Sequence, residues 1–136
     1  MEEKKLFVDT GAWFALADKS DQYHNQAIEI YSDLLRNYRL LTTNLVIAES
    51  YTLMRYALGH QAAIHFVDNI EASPRVIKIY SDSTQEEQAI DILRQYQDQD
   101  FSYTDAVSFA VMKQYGTVEA FAFDQHFIPA GFTLIP

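Results

Sequence analysis

The amino-acid sequence predicts a three-layer α/β/α sandwich built on a mainly parallel sheet of four or five strands. Short apolar runs, typical of buried strands, alternate with longer segments in which apolar residues recur at helical spacing. This alternation favours parallel strand pairing, with helices on both faces of the sheet. The chain has 136 residues, of which 49% are hydrophobic, so it can bury one sizeable core. We therefore expect a single domain spanning residues 1–136.

Each predicted strand is a short apolar run. The first covers residues 5–8 and stops directly on Asp9. The others are predicted at residues 39–42, 76–80 and 120–123, with a short fifth strand at 132–135. The fourth run stops on Asp124, as the first does on Asp9.

The predicted helices fill the intervals between these strands. The first begins at Thr10 or Gly11 and follows the first strand directly. The later helices are predicted, in chain order, at residues 24–38, from 43 or 44 to 59, at 61–70, from 83 or 84 to 97, and from 102–105 to 115. Polar residues that cap helices stand before them, including Ser20 or Asp21 and Ser83 or Thr84. Gly59 and Gly116 are predicted helix ends.

Composition excludes several classes of protein. Cysteine is absent, which excludes disulfides, zinc fingers and cysteine nucleophiles. No apolar run approaches the roughly 20 residues that a membrane span needs, and the first residues do not resemble a signal peptide. We therefore expect a cytoplasmic protein without a membrane partner. The net charge of −9 argues against nucleic-acid binding through a broad basic surface, although bound divalent cations can supply positive charge locally.

Four acidic residues lie within apolar sequence, unlike the other acids of the chain. Asp9 and Asp124 end apolar strands, Glu49 follows Val46-Ile47-Ala48 on a helix, and Asp105 stands in the first turn of an apolar helix. Each has an ordinary explanation as well. Asp9 can cap the following helix, and Asp105 can interact with the helix dipole. Glu49 is harder to explain this way, because an unpaired acid on an apolar helix face is costly.

The predicted sheet can bring these acids together in one crevice at the carboxyl ends of its strands. Two carboxylates about 4 Å apart repel by roughly 4 kcal/mol at an effective dielectric near 20, so four of them need protons, basic partners or metal. Hard oxygen ligands favour Mg²⁺ or Mn²⁺. Such ions can activate water and stabilise a leaving oxygen in phosphodiester hydrolysis.

The chain resembles the PIN-domain ribonucleases, in particular the toxin subunits of type II toxin–antitoxin pairs. The matching segments occur in family order: Phe7-Val8-Asp9-Thr10, Asn44-Leu45-Val46-Ile47-Ala48-Glu49, Phe101-Ser102-Tyr103-Thr104-Asp105-Ala106 and Phe121-Ala122-Phe123-Asp124-Gln125-His126-Phe127. The resemblance implies that Asp9, Glu49, Asp105 and Asp124 are the catalytic, metal-binding acids. It also implies cleavage of RNA, dependence on Mg²⁺ or Mn²⁺, and a homodimer inhibited by a small antitoxin protein.

Five further residues are candidates for supporting roles. The hydroxyls of Thr10 and Thr104 can orient a neighbouring carboxylate or contact phosphate, or they can cap helices. Asn44 is either a helix cap or a residue near the site. Arg55 can contact phosphate or remain solvated. His126, two residues after Asp124, can touch substrate or be structural.

Other functions fit the sequence less well. Nucleotide-binding glycine loops are absent, and Gly11 stands where a haloacid-dehalogenase-type phosphatase needs a second aspartate. A ribonuclease-H-like fold begins with several antiparallel strands, whereas a helix is predicted directly after Asp9. A receiver-like signalling domain needs a middle strand that ends on a phosphorylatable aspartate, and residues 76–80 end on Ser81-Asp82. The main alternative is a PIN-like module that binds or scaffolds an RNA-processing complex without catalysis.

Overall fold

The computed structural model describes residues 3–136 and contains one five-stranded sheet flanked by six helices. The strands are β1 (Lys4–Val8), β2 (Tyr38–Thr43), β3 (Val76–Ile79), β4 (Glu119–Phe121) and β5 (Thr133–Ile135). The helices are α1 (Thr10–Ala17), α2 (His24–Asn37), α3 (Asn44–Leu58), α4 (His60–Ala72), α5 (Ser83–Gln95) and α6 (Tyr103–Gln114). A short 3-10 turn covers Gln125–Phe127. The predicted α/β/α sandwich is confirmed.

All strand pairs are parallel, and the strand order is β3-β2-β1-β4-β5. From β1 the chain builds outward through β2 and β3, and then crosses to the other side of β1 to add β4 and β5. The order therefore reverses between β1 and β4. In open α/β sheets, ligands bind at the carboxyl ends of the strands at such a reversal. The fold thus defines where a site is expected before any side chain is considered.

The central strand β1 is fully buried over its second half. Leu6, Phe7 and Val8 have no exposed surface, and neither do their neighbours Leu40 and Phe121 on the adjacent strands. Val8 pairs with Phe121 in the β1–β4 register. Strands buried on both faces consist of continuous apolar residues. This explains why the sequence has an apolar run here and not an alternation of apolar and polar residues. Asp9 therefore directly follows a strand that is fixed in the core.

Two predicted helix caps differ from the structure, and the ends of β4, α4 and α5 lie two residues from their predicted positions. Helix α2 begins after Tyr23, and Asp21 instead accepts a hydrogen bond from the Tyr23 amide. Helix α5 is capped by Asp82, one residue before the predicted Ser83 or Thr84. Strand β4 ends at Phe121, two residues earlier than predicted, and Phe123 beyond it stacks on Tyr23 at 4.3 Å between ring centroids.

The predicted ends of α3 and α6 are confirmed. Gly59 follows α3 with φ of 98°, and Gly116 lies two residues past α6 with φ of 65°, conformations that glycine adopts readily. Thr43 caps the start of α3 by accepting the Val46 amide. In the part of the chain that the structure describes, no helix is long and apolar enough to cross a lipid bilayer.

Candidate functional site

Asp9 and Asp124 follow the two adjacent strands at which the sheet order reverses. Asp9 comes directly after β1, and its amide donates to the carbonyl of Phe121 at the end of β4, at 3.1 Å. Asp124 comes three residues after β4, at the start of the 3-10 turn. The β1–β4 ladder therefore brings two acids that are far apart in sequence to the same edge of the sheet.

The Asp9 side chain is buried without the capping bond that would explain it. The residue is 5% exposed and occupies the N-cap position of α1, but its side chain accepts no capping hydrogen bond. Burial raises the pKa of Asp9 from its ordinary value of 3.8 to about 7. The Thr10 amide lowers the pKa of Asp9, and the negative charges of Asp105, Asp124 and Glu49 raise it further. Capping alone therefore does not account for Asp9.

Asp105 does have a structural role, as the sequence allowed. Ser102 and Asp105 form a capping box, in which the Asp105 amide donates to Ser102 Oγ and the Ser102 amide donates to Asp105 Oδ2, both at 3.0 Å. The residue is 7% exposed, and burial raises its pKa. The Ser102 amide lowers this pKa, the charge of Asp124 raises it, and the Ser102 side chain and His126 lower it. One residue thus starts α6 and points a carboxylate at the sheet edge.

Asp124 and His126 meet Asp105 at this edge. Asp124 Oδ1 accepts the His126 amide at 2.9 Å and lies 3.1 Å from His126 Nδ1. The same Nδ1 atom lies 3.3 Å from Asp105 Oδ2. These three residues are arranged so that one donor atom of each can reach a shared metal ion.

Glu49 is placed differently from what its apolar neighbours predicted. Its side chain is exposed on α3, so the expectation that it is a costly buried acid is wrong. The helix turns its position outward, while Val46, Ile47 and Ser50 face the core. The charge of Glu49 adds to the raised pKa of Asp9, but neither Glu49 nor Asp9 is among the three residues, Asp105, Asp124 and His126, whose donor atoms lie close enough to share one ion. Glu49 is the exposed member of the four acids.

The supporting candidates divide into near and distant residues. Thr10 is buried beside Asp9, and its hydroxyl has no hydrogen-bond partner among the described residues. Thr104 is half-buried next to Asp105. Asn44 does not cap α3; its Oδ1 accepts the Ser81 amide at 2.9 Å and so ties the end of β3 to the start of α3. Arg55 is exposed in the last turn of α3, about 9 Å along the helix axis from Glu49.

The cluster has the chemistry of a cation site. Among residues 3–136, no lysine or arginine nitrogen lies within 4 Å of Asp9, Glu49, Asp105 or Asp124. Buried polar atoms without partners occur on two flanking residues, Thr10 Oγ1 and His126 Nδ1. Buried carboxylates without a cationic partner, and buried polar atoms without a hydrogen bond, are costly unless another group satisfies them. Oxygen-rich donor sets suit hard divalent ions, so these residues fit a bound Mg²⁺ or Mn²⁺.

Two features of the site go beyond the sequence predictions. His126 is predicted to touch substrate or to be structural, and it lies against Asp105 and Asp124; Asp124-x-His126 within one turn is the sequence signal for this placement. The capping box was present as Ser102-x-x-Asp105, a recognised helix-start pattern, but its reciprocal bonds were not expected. Both sequence patterns are short, and only the tertiary structure shows that His126 of the first lies beside Asp105 of the second.

Comparison with known proteins identifies the family. The PIN domain profile matches residues 6–132. The chain belongs to the PIN domain family. A curated relative of this PIN domain is the 23S rRNA-specific endonuclease VapC20 of Mycobacterium tuberculosis, which is 35% identical over 128 residues, covering 93% of this chain and 95% of the relative.

Solved structures resemble this PIN domain over nearly its whole length. The crystal structure of M. tuberculosis VapC20, described as a sarcin–ricin loop cleaving toxin, superimposes with a TM-score of 0.87 at 34% identity and covers 94% of this chain and 96% of that one. FitAcB from Neisseria gonorrhoeae has a TM-score of 0.67 at 13% identity, with 96% of both chains covered. At that identity the second likeness concerns the fold alone.

Proposed function

We propose that this PIN domain is a metal-dependent endoribonuclease that hydrolyses phosphodiester bonds in RNA, and that it is the toxin of a toxin–antitoxin pair. The observation that carries the proposal is the grouping of Asp105, Asp124 and His126, with Asp9 at the end of the adjacent strand β1, at the sheet-order reversal of a PIN fold. The similarity to VapC20 over 93% of the chain supports the choice of RNA as substrate. The sarcin–ricin loop of 23S rRNA is therefore the first substrate to test.

Asp9, Asp105 and Asp124, with Glu49 at the exposed side, would hold one or two divalent cations. When bound, Mg²⁺ or Mn²⁺ supplies a Lewis acid, lowers the pKa of water and stabilises charge on phosphate oxygens. The carboxylates orient the cation, and Asp105 is itself held by the Ser102 capping box. The Thr10 hydroxyl, buried and without a partner, is placed to orient the Asp9 carboxylate or to contact phosphate. No protein nucleophile is required.

The cation would also serve substrate binding. The chain carries a net charge of −9, and its candidate site is acidic, so a phosphate backbone is repelled unless the site charge is offset. A divalent ion reduces the negative charge at the place where the scissile phosphate must lie. Metal dependence should therefore appear in RNA binding as well as in cleavage.

The proposal is tested by incubating purified protein with a synthetic sarcin–ricin loop RNA and with an unstructured RNA of equal length. We expect cleavage that requires Mg²⁺ or Mn²⁺ and stops with EDTA. Asp124→Asn should reduce the rate by about 100-fold or more, because a metal ligand loses its charge. Asp98→Asn, at an exposed acid, is the matched control and should cleave like the parent. No cleavage by the parent with either ion, together with stable capture of an RNA-processing complex, would favour the scaffold module.

We also propose a homodimer and a small antitoxin partner. Helices α3 and α4 pack together and expose apolar side chains, namely Leu53, Tyr56 and Ile64, with Tyr56 93% exposed. Apolar surface of this kind is typical of interaction sites. Light scattering of the purified protein should give twice the mass of the chain, and Tyr56→Glu should give the monomer mass. A monomeric parent would contradict the dimer without affecting the nuclease assignment.

A further inference from the structure

We infer that His126 is a nitrogen ligand of the cation at this site and that it biases the site towards Mn²⁺ over Mg²⁺. The inference rests on the proposed metal-dependent function, and adds to it a non-acidic ligand and an ion preference. Three independent observations support it: the position of Nδ1, its lack of a hydrogen-bond partner, and the packing that fixes the ring.

The position of Nδ1 fits a shared ion. Nδ1 lies 3.1 Å from Asp124 Oδ1 and 3.3 Å from Asp105 Oδ2. Ligand atoms about 2.1 Å from one ion are separated by roughly 3 Å when adjacent in octahedral geometry and by roughly 4 Å when opposite. Both measured separations therefore fit adjacent ligands of one ion.

Nδ1 has no hydrogen-bond partner, although two carboxylate oxygens lie close to it. The atom is inaccessible to solvent, and its geometry satisfies no hydrogen bond among the described residues. A buried polar atom without a partner is rare and costly in native proteins. Two carboxylate oxygens so close to one ring nitrogen create a local negative potential that favours a positive charge between them. A cation at this point would satisfy all three atoms together.

Packing fixes the imidazole so that it cannot simply swing into solvent. The ring makes an edge contact with Phe101 at 5.6 Å between centroids, and Phe101 is buried against Phe109 at 5.0 Å. The His126 amide is bonded to Asp124, and the next residue, Phe127, is fully buried. The side chain is 32% exposed, but its Nδ1 atom lies against the carboxylates and is not accessible to solvent. Because packing already holds the side chain in place, less conformational entropy is lost when it binds a metal ion.

The chemistry of imidazole sets the direction of the preference. Mg²⁺ is bound mainly by carboxylates, phosphates and water, and imidazole is a poor ligand for it. Imidazole binds first-row transition ions, while carboxylates bind both Mg²⁺ and Mn²⁺. A site with two aspartates and one imidazole should therefore bind Mn²⁺ more tightly than Mg²⁺, and the imidazole should be the reason for the difference.

The competing explanation is that His126 is an imidazolium that forms ion pairs with Asp105 and Asp124. The two roles differ in their consequences for metal binding. An ion-pairing cation occupies the place of the metal, so its removal should strengthen the binding of both ions or leave it unchanged. A ligand stabilises the bound ion, so its removal should weaken the binding of Mn²⁺ selectively.

The first test measures Mn²⁺ and Mg²⁺ binding by isothermal titration calorimetry, without RNA. In His126→Ala we expect Mn²⁺ affinity to fall by about 10- to 100-fold and Mg²⁺ affinity to change by less than about threefold. His60→Ala, at an exposed histidine on α4, is the matched control and should leave both affinities unchanged. Equal losses for both ions, unchanged affinities for both, or tighter binding of either would overturn the inference.

The second test detects the ligand directly by spectroscopy, in the parent and in His126→Ala. Electron spin echo spectroscopy of the Mn²⁺-loaded parent should show coupling to a ¹⁴N nucleus, and His126→Ala should lose it. An Mn²⁺-loaded parent that cleaves RNA but shows no ¹⁴N coupling would overturn the role of His126 and leave the proposed function intact. A parent that binds neither ion would overturn both.

Discussion

Replacing Asp9 with asparagine is expected to stabilise the metal-free protein while abolishing RNA cleavage. The stabilisation follows from burial of an acid that has no cationic partner among the described residues and whose pKa is raised to about 7. The difference from the ordinary value of 3.8 corresponds to roughly 4 kcal/mol that ionised Asp9 costs the folded state. Asparagine removes the charge but keeps a buried polar group, so we expect a gain of about 1–3 kcal/mol.

The stability gained by Asp9→Asn should increase as the pH rises from about 4 to about 7. Between pH 3.8 and about 7 the unfolded state loses the Asp9 proton while the folded state keeps it, so the stability of the parent falls as the pH rises. The loss is complete above about pH 7 and absent below pH 3.8. Asp9→Asn lacks this contribution. The difference between variant and parent should therefore grow from pH 4 to pH 7 and then remain constant.

Thermal unfolding in EDTA measures the effect. A gain of 1 kcal/mol raises the melting temperature of a domain of this size by about 4 °C, so a rise of about 4–12 °C is expected at pH 8. Cleavage with Mn²⁺ should fall by about 1,000-fold, because the buried ligand is lost. Asp98→Asn is the matched surface control. A variant that is less stable than the parent at pH 8 would show that Asp9 is compensated by contacts other than metal.

Mn²⁺ should stabilise the parent, and more strongly at neutral than at acidic pH. An ion that binds only the folded state adds about 2.7 kcal/mol when its concentration is 100 times the dissociation constant. Binding must displace the proton held by Asp9, so the apparent affinity should rise about tenfold per pH unit up to about pH 7 and then level off. The melting-temperature shift caused by Mn²⁺ should therefore be clearly larger at pH 7.5 than at pH 5.5.

Differential scanning fluorimetry at fixed Mn²⁺ concentration checks this expectation. Because the affinity levels off at about pH 7, the step from pH 5.5 to pH 7.5 corresponds to about 30-fold in affinity for one displaced proton, or roughly 2 kcal/mol. Asp9→Asn should show a small Mn²⁺ shift that varies much less with pH. An equal shift at both pH values in the parent would mean that binding does not displace the Asp9 proton, and would contradict the assignment of Asp9 as a ligand.

The fold was predictable because its signals are local and repeated. Each buried strand appears in the sequence as an apolar run, and each helix as an apolar periodicity with a polar start. The convergence of Asp9 and Asp124 was also accessible, since both follow buried strands and parallel sheets gather such positions at one edge. The element ends were less predictable. Asp82, Ser83 and Thr84 can all cap a helix, and tertiary contacts decide which one does.

The environments of the side chains were not predictable from the same signals. Glu49 follows three apolar residues, yet it is exposed, because a helix of mixed composition can rotate either face towards the core. His126 contacts Asp105 across 21 positions of sequence, and no periodicity encodes this contact. The roles of the acids as ligands remain predictions, which the experiments on Asp9, Asp124 and His126 address.

The reversal of strand order has a consequence for how the protein is made. Asp124 follows Asp9 by 115 positions, and the β1–β4 ladder that joins them pairs the earliest strand with one of the last. Contacts of such long sequence separation form only after the intervening chain exists. During translation, a nascent chain whose 3-10 turn is still inside the ribosome therefore cannot place Asp124 beside Asp9, even if its first 100 residues have already folded. An activity that needs both Asp9 and Asp124 would therefore be absent until residue 124 has left the ribosome.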